Sequence, residues 1–222
     1  LNPGENQMRD EFRADLAQVS RLLVDMAEGA RTAMRQATVA LLEGDETEAE
    51  SVSMTDNEID ALYRRVEERT YDLLARQAPV ASDLRTVITA LRVASDIERM
   101  GELAEHIAEI ALRRHPAIAV PEELRPVIRE MAEVADSIAA KSVAVLSESD
   151  AERAAELDRD DDQMDELHRQ LLAFMLGAAW RHGVEAAIDG ALIGRYYERF
   201  ADHAVNAGNQ VVFLVTGEAA PF

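Results

Sequence analysis

Ser95-Asp96-Ile97-Glu98-Arg99-Met100-Gly101-Glu102-Leu103-Ala104-Glu105-His106 is the stretch whose reading decides the fold of this chain. It returns near the C-terminus as Tyr196-Tyr197-Glu198-Arg199-Phe200-Ala201-Asp202-His203-Ala204-Val205-Asn206. Both copies place Glu-Arg at the same point, an acid four residues after the Glu, and a His or Asn four beyond that. Glu98 and Glu198 stand 100 residues apart. A second echo runs alongside: Asp56-Asn57-Glu58-Ile59-Asp60 returns 105 residues later as Asp161-Asp162-Gln163-Met164-Asp165. Two acid-x-x-x-acid pairs, in the same order in each half, are the signature of a duplicated unit.

Outward from these motifs the pattern is helical. Leu16, Val19, Leu22, Leu23, Met26, Ala30, Met34, Ala37 and Leu41 recur at helix spacing, which predicts a first helix from Met8 to Glu43. Gly44-Asp45 stops it and starts the next, with Glu48 three residues after Asp45 as in a capping box. The second helix runs to about Gln77 and is broken by Pro79. Ser82-Asp83 opens the third, which ends near Arg114. The prolines of His115-Pro116-Ala117-Ile118-Ala119-Val120-Pro121 mark a linker. A fourth helix is expected from Glu122 to Ser147, and a fifth from a cap at Ser149-Asp150 to about His182, ended by Gly183. A sixth runs from Glu185 to Thr216 and is stopped by Gly217. No stretch alternates like a strand. The expected fold is all-α, two tandem antiparallel three-helix bundles, with repeats at 8–115 and 122–217.

The chain has 222 residues, enough for one or two domains with cores of their own. Forty-three acids against 23 Lys and Arg leave a formal charge of −20. Nucleic acid and anionic lipid both demand basic patches, so neither is an expected partner; cations or a basic protein surface are. The absence of cysteine removes disulfides and thiolate metal sites and suits a reducing compartment. No apolar run is long enough to span a bilayer and no secretory signal is visible. A cytoplasmic protein is expected, reaching a membrane only through partners.

The chemistry rests on the acid pairs. Residues four apart share one face of a helix, and two carboxylates there repel. Leu84, Leu91, Val87 and Ala94 lie on or beside the bearing of Glu98, and Ile59, Tyr63, Val66 and Thr70 form the stripe that Asp56 and Asp60 flank. Acids bordering apolar faces need a raised pKa, a cationic side chain or a bound cation. An all-carboxylate set suits hard divalent or trivalent ions: Mg, Mn, Ca or iron. Arg195, three residues before Glu198, is the arginine placed to compete for that role. Arg99 and Arg199 are rotated 100° from their Glu neighbours and are expected to pair across helices or with solvent. His106 lies on the Glu98–Glu102 side and is a weaker ligand candidate. His203 points away from the side of Asp202. Trp180, Tyr196 and Tyr197 read as packing.

No catalytic constellation appears. There is no G-x-S-x-G, no phosphate-cradling Gly loop, and no Glu-x-x-His of the di-iron type; Asp165-x-x-His168 is the nearest approach and has no counterpart in the first half. A metal-dependent helical-bundle enzyme or a metal-storage protein is the alternative reading. A non-enzymatic binding protein is the expectation.

Asp56-x-x-Ile59-Asp60, Pro79-Val80-Ala81-Ser82-Asp83-Leu84-Arg85, Glu98-Arg99-x-Gly101-Glu102 and Glu198-Arg199-x-x-Asp202-His203-Ala204-Val205-Asn206 together resemble the phosphate-uptake regulator family PhoU. The likeness runs from Met8 over essentially the whole chain. It implies two three-helix bundles whose acidic motifs bind multinuclear metal clusters. Position by position the ligands would be Asp56, Asp60, Glu98, Glu102, Asp161, Asp165, Glu198 and Asp202. It also implies a cytoplasmic, often dimeric, negative regulator of phosphate-starvation signalling, acting between the phosphate ABC transporter and a sensor histidine kinase. The family usually has Asp at the position of Glu102, and His106 stands where the second half has Asn206.

Overall fold

A computed structural model of the chain is built of six long helices: α1 Pro3–Glu43, α2 Glu46–Gln77, α3 Ser82–Arg114, α4 Arg125–Glu148, α5 Ala151–Leu176 and α6 Gly183–Thr216. It describes residues 3–77, 79, 82–148 and 151–216, and no strand occurs among them. No helix is long and apolar enough to cross a membrane among these residues.

The joints follow local chemistry. Gly44 takes φ +71°, which only glycine adopts without strain, and its N–H bonds Ala40 O at 2.9 Å to close α1. One residue later the Glu48 N–H donates to Asp45 Oδ1 at 3.1 Å, so the Asp45 carboxylate caps α2. Four boundaries differ from the sequence reading. α1 begins at Pro3, ahead of Met8; proline is at home in the first turn, where no N–H is needed. The expected start of the fourth helix at Glu122 is a 3₁₀ turn, Glu122–Leu124, that passes into α4. α5 ends at Leu176, six residues before His182. There Gly177 N–H turns back to Phe174 O and Trp180 N–H to Gly177 O, both at 3.1 Å, and the Trp180 indole donates to Gly183 O at 2.8 Å. Gly183, with φ +79°, therefore opens α6 instead of ending α5. The Ser149-Asp150 cap and the Gly217 stop lie outside the described residues.

α1, α2 and α3 pack on one another, and α4, α5 and α6 do the same. The units join along two seams, α1 against α4 and α3 against α6. The apolar stripe read from the first helix is buried: Val19, Leu22, Leu23, Met26, Ala30, Met34, Ala37 and Leu41 all lie in the core, with Leu16 packed at its edge. That core is continuous across both units. The α1–α4 seam is pinned where Arg31 donates twice to Asp136, at 2.7 and 2.9 Å. These two residues are 105 apart, the spacing of the repeat, so they are equivalent positions meeting each other. Tyr197 is fully buried and its hydroxyl lies 2.7 Å from Thr38 Oγ1. Thr38 already donates to Met34 O, so Tyr197 is the donor.

Candidate functional site

The acidic motifs fall on α2 and α3 in the first half and on α5 and α6 in the second, so each half faces two acid pairs across one helix–helix contact. Ile59, Val66 and Thr70 are buried along the stripe that Asp56 and Asp60 flank, and Val87 and Ala94 along the helix that carries Glu98, as the spacing predicts. Leu84, read as part of the same apolar face, is 40% exposed.

In the first half the helices approach closely because position 101 is glycine. A Cβ at Gly101 would stand 2.5 Å from Asp56 Oδ1. The close approach packs Asp56 against Glu98, Glu102 and Glu105. Burial first, then the charges of Glu105, Asp60, Glu102 and Glu98, push the Asp56 carboxyl up to about 7. No hydrogen-bond donor or cation among the described residues reaches it. Burial also raises Glu98, with Glu102 and Asp60 adding repulsion and Arg99 and His203 opposing it. Glu105 belongs to this cluster and was missed. It accepts a hydrogen bond from Ser53 at 2.8 Å, and it stands seven residues after Glu98, a spacing that announces the same face.

Arginine takes part of the charge. Arg99 bonds Glu102 within its own helix, contrary to the expected pairing across helices or with solvent; three residues of helix bring the long guanidinium side chain back alongside the carboxylate. Arg64 lies 3.5 Å from Asp60 on an exposed face.

The second half is looser. Asp165 is exposed, while Glu198 is largely covered and bound by Arg195, the competing arginine. Burial raises the Glu198 carboxyl, and Asp202 adds to it against Arg195. Asp202 is raised by burial, opposed by Arg195 and reinforced by Asp165. Asp161 is half-buried on α5. Ala201 stands where the first half has Gly101. His168 is held below its usual range by burial and by Arg195.

Between the two acid sites, the α3–α6 seam holds a further group. His203 Nδ1 lies 2.9 Å from Asp96 Oδ1, and Gln210 donates to Asp96 Oδ2 at 2.7 Å. Ten residues further along α3 the His106 ring stacks on Tyr196 at 5.1 Å, its Nδ1 buried without a partner among the described residues. Asp96 was passed over because a single acid carries no periodic signal.

The donor set fits a hard cation. It is all carboxylate, it borders apolar surface, and burial first and neighbouring acids second raise Asp56, Glu98, Glu198 and Asp202, an unfavourable charge that a cation would relieve. The convergence is incomplete as the side chains stand: among the described residues no three His, Asp or Glu gather around one point. Release of Glu102 from Arg99 and of Glu198 from Arg195 is the rearrangement that binding would require.

The comparisons agree with this architecture. The PhoU domain matches residues 23–111 and matches again at 128–211. The chain belongs to the PhoU family. The phosphate-specific transport system accessory protein PhoU homolog 2 of Mycobacterium tuberculosis is 44% identical over 210 residues, 95% of this chain and 99% of that protein. The corresponding PhoU homolog 1 of Mycobacterium leprae is 43% identical, covering 95% of each. Crystal structures titled as the phosphate transport system regulatory protein PhoU of Streptococcus pneumoniae and as PhoU of Pseudomonas aeruginosa each superpose with a TM-score of 0.82 at 25% identity. They cover 95% and 93% of this chain and all of each neighbour. The six-helix PhoU fold is thus the frame in which the acid pairs sit.

Proposed function

We propose that this PhoU-family chain is a non-enzymatic accessory regulator of phosphate uptake, restraining phosphate-starvation signalling from the cytoplasmic side. Its partners on this reading are the phosphate ABC transporter and a sensor histidine kinase, and it works as a homodimer. The observation that carries the reading is end-to-end similarity to transport-system accessory proteins at 43–44% identity. The strongly acidic surface supports it, since it favours basic protein faces over lipid or nucleic acid.

Divalent or trivalent metal ions, of iron, Mg, Mn or Ca, are part of the proposal. Asp56, Asp60, Glu98 and Glu102 would hold them in the first half, and Asp161, Asp165, Glu198 and Asp202 in the second. The cation would supply positive charge that neutralises crowded carboxylates and ties neighbouring helices together. What the chain itself supplies is the close approach at Gly101 and the partly dry carboxylates of Asp56 and Glu198.

The test is a pull-down with the purified chain, metal supplied, against the transporter ATPase and the cytoplasmic part of the kinase. Binding to at least one partner is expected. Failure to bind either would overturn the reading.

A further inference from the structure

We infer that the groove between α1 and α4 binds a small organic oxyanion, its charged head held by Arg35, Arg125 and Arg129 and its apolar body laid against Val39 and Leu42. The groove encloses about 540 Å³, within the range of small-molecule sites. Four of the 23 basic residues of a chain with charge −20 line this one place: Arg31 and Arg35 from α1, Arg125 and Arg129 from α4. Each pair is spaced four residues apart, so like charges stand one turn from each other on both walls.

Arg31 is bonded to Asp136, whose charge also attracts Arg35 at longer range. The guanidinium groups of Arg35, Arg125 and Arg129 have no ion pair or hydrogen bond among the described residues, although Glu43 and Glu133 line the same groove. Arg125 Nε is buried with no acceptor. The guanidinium forks of Arg35 and Arg129 are the exposed ones, and an oxyanion accepts from such forks in bidentate geometry. Val39, Leu42 and Ala132 give the groove an accessible apolar wall over the buried Met34, Ala139 and Phe200, so a bare inorganic ion would leave that wall unfilled. Phe200 lies two residues from both Glu198 and Asp202, 200° round the helix from each. The groove therefore opens on a different side of α6 from the acid site.

The test uses the full chain stripped of metal by chelation, so that no anion binds through a cation. Calorimetric titration with 1-naphthyl phosphate as probe is expected to show saturable one-to-one binding. Inorganic phosphate and 1-naphthol should each bind at least tenfold more weakly. Replacing both exposed arginines, Arg35→Gln with Arg129→Gln, should weaken the probe at least tenfold, while Arg69→Gln, an exposed arginine on α2, should leave it unchanged. Circular dichroism verifies that the variants are folded. Non-saturable binding, equal binding of 1-naphthol, equal binding of inorganic phosphate, or a double variant no weaker than Arg69→Gln would overturn the inference.

Discussion

Asp56 is where the acid cluster is most frustrated. Its carboxyl titrates near 7 because burial and four neighbouring acids all oppose its charge. A folded pKa raised above the unfolded value means that this group favours the folded state when protonated. That stability is fully present below the ordinary carboxylate range and is lost as pH rises through about 7. Glu98, Glu198 and Asp202 shift in the same direction. Urea melts of the metal-free protein should therefore show stability falling from pH 5 to pH 8. Asp56→Asn should flatten that slope and stabilise the protein by about 1–2 kcal/mol at pH 8, a figure already reduced for solvent screening of a half-buried group. A variant no more stable than wild type at pH 8 would show that water already relieves the repulsion. Gly101 belongs to the same scale. Gly101→Ala puts a methyl group 2.5 Å from Asp56 Oδ1, too close for both, so the carboxylate must swing away. The expected result is metal bound in the first half at least tenfold more weakly, read by titration of the two halves separately in a background of Glu198→Gln with Asp202→Asn.

At the scale of elements, the second-half helices test the assignment of the acid pairs. α6 presents Glu198 and Asp202 one turn apart, with Arg195 one turn before. Metal content measured on purified Glu198→Gln, Asp202→Asn protein should fall by the share that the second half holds. Unchanged content would remove these residues from the ligand set. The melting temperature of the metal-free double variant should rise, because burial raises both carboxyls and their mutual repulsion disappears. Arginine offsets part of the acid charge on α3 and α6. Arg99 and Arg195 each reach one turn forward onto Glu102 and Glu198, the same three-residue spacing in both helices. The fifth helix shows the other limit of pattern reading. Apolar residues continue past Leu176, but the Gly177 turn and the Trp180 indole bond to Gly183 O end the helix first.

The whole molecule is held by two seams, and the α3–α6 seam carries a polar group of three. Asp96 accepts from Gln210 and faces His203 Nδ1, all partly buried. Asp96→Ala would leave His203 and Gln210 without their partner and should destabilise the chain by about 1–3 kcal/mol, measured by urea denaturation. A change below a few tenths would show that water replaces the carboxylate freely. Metal should act at this scale too. A cation shared between helices binds only the folded chain, so chelation should lower the melting temperature, by the equivalent of about 3–4 kcal/mol if metal is present at 100–1,000 times its dissociation constant. A melting temperature indifferent to chelation and metal addition would count against any structural cation.

The chain by itself determined the six helices, the duplication and the PhoU frame, because periodicity, caps and repeated motifs are local or carried along the sequence. Asp45 caps α2 and Gly44 turns the chain for reasons visible in neighbouring residues. The sequence also picked out the acid pairs, since a four-residue spacing fixes a shared helix face. Only the tertiary structure decided which acids crowd each other: Glu105 joining Asp56, Asp165 left exposed, Asp96 bridging to α6. It alone gathered Arg35, Arg125 and Arg129 into one groove. Those outcomes depend on how closely and at what rotation helices far apart in sequence come together, and that is set by packing of the whole core, not by any one segment.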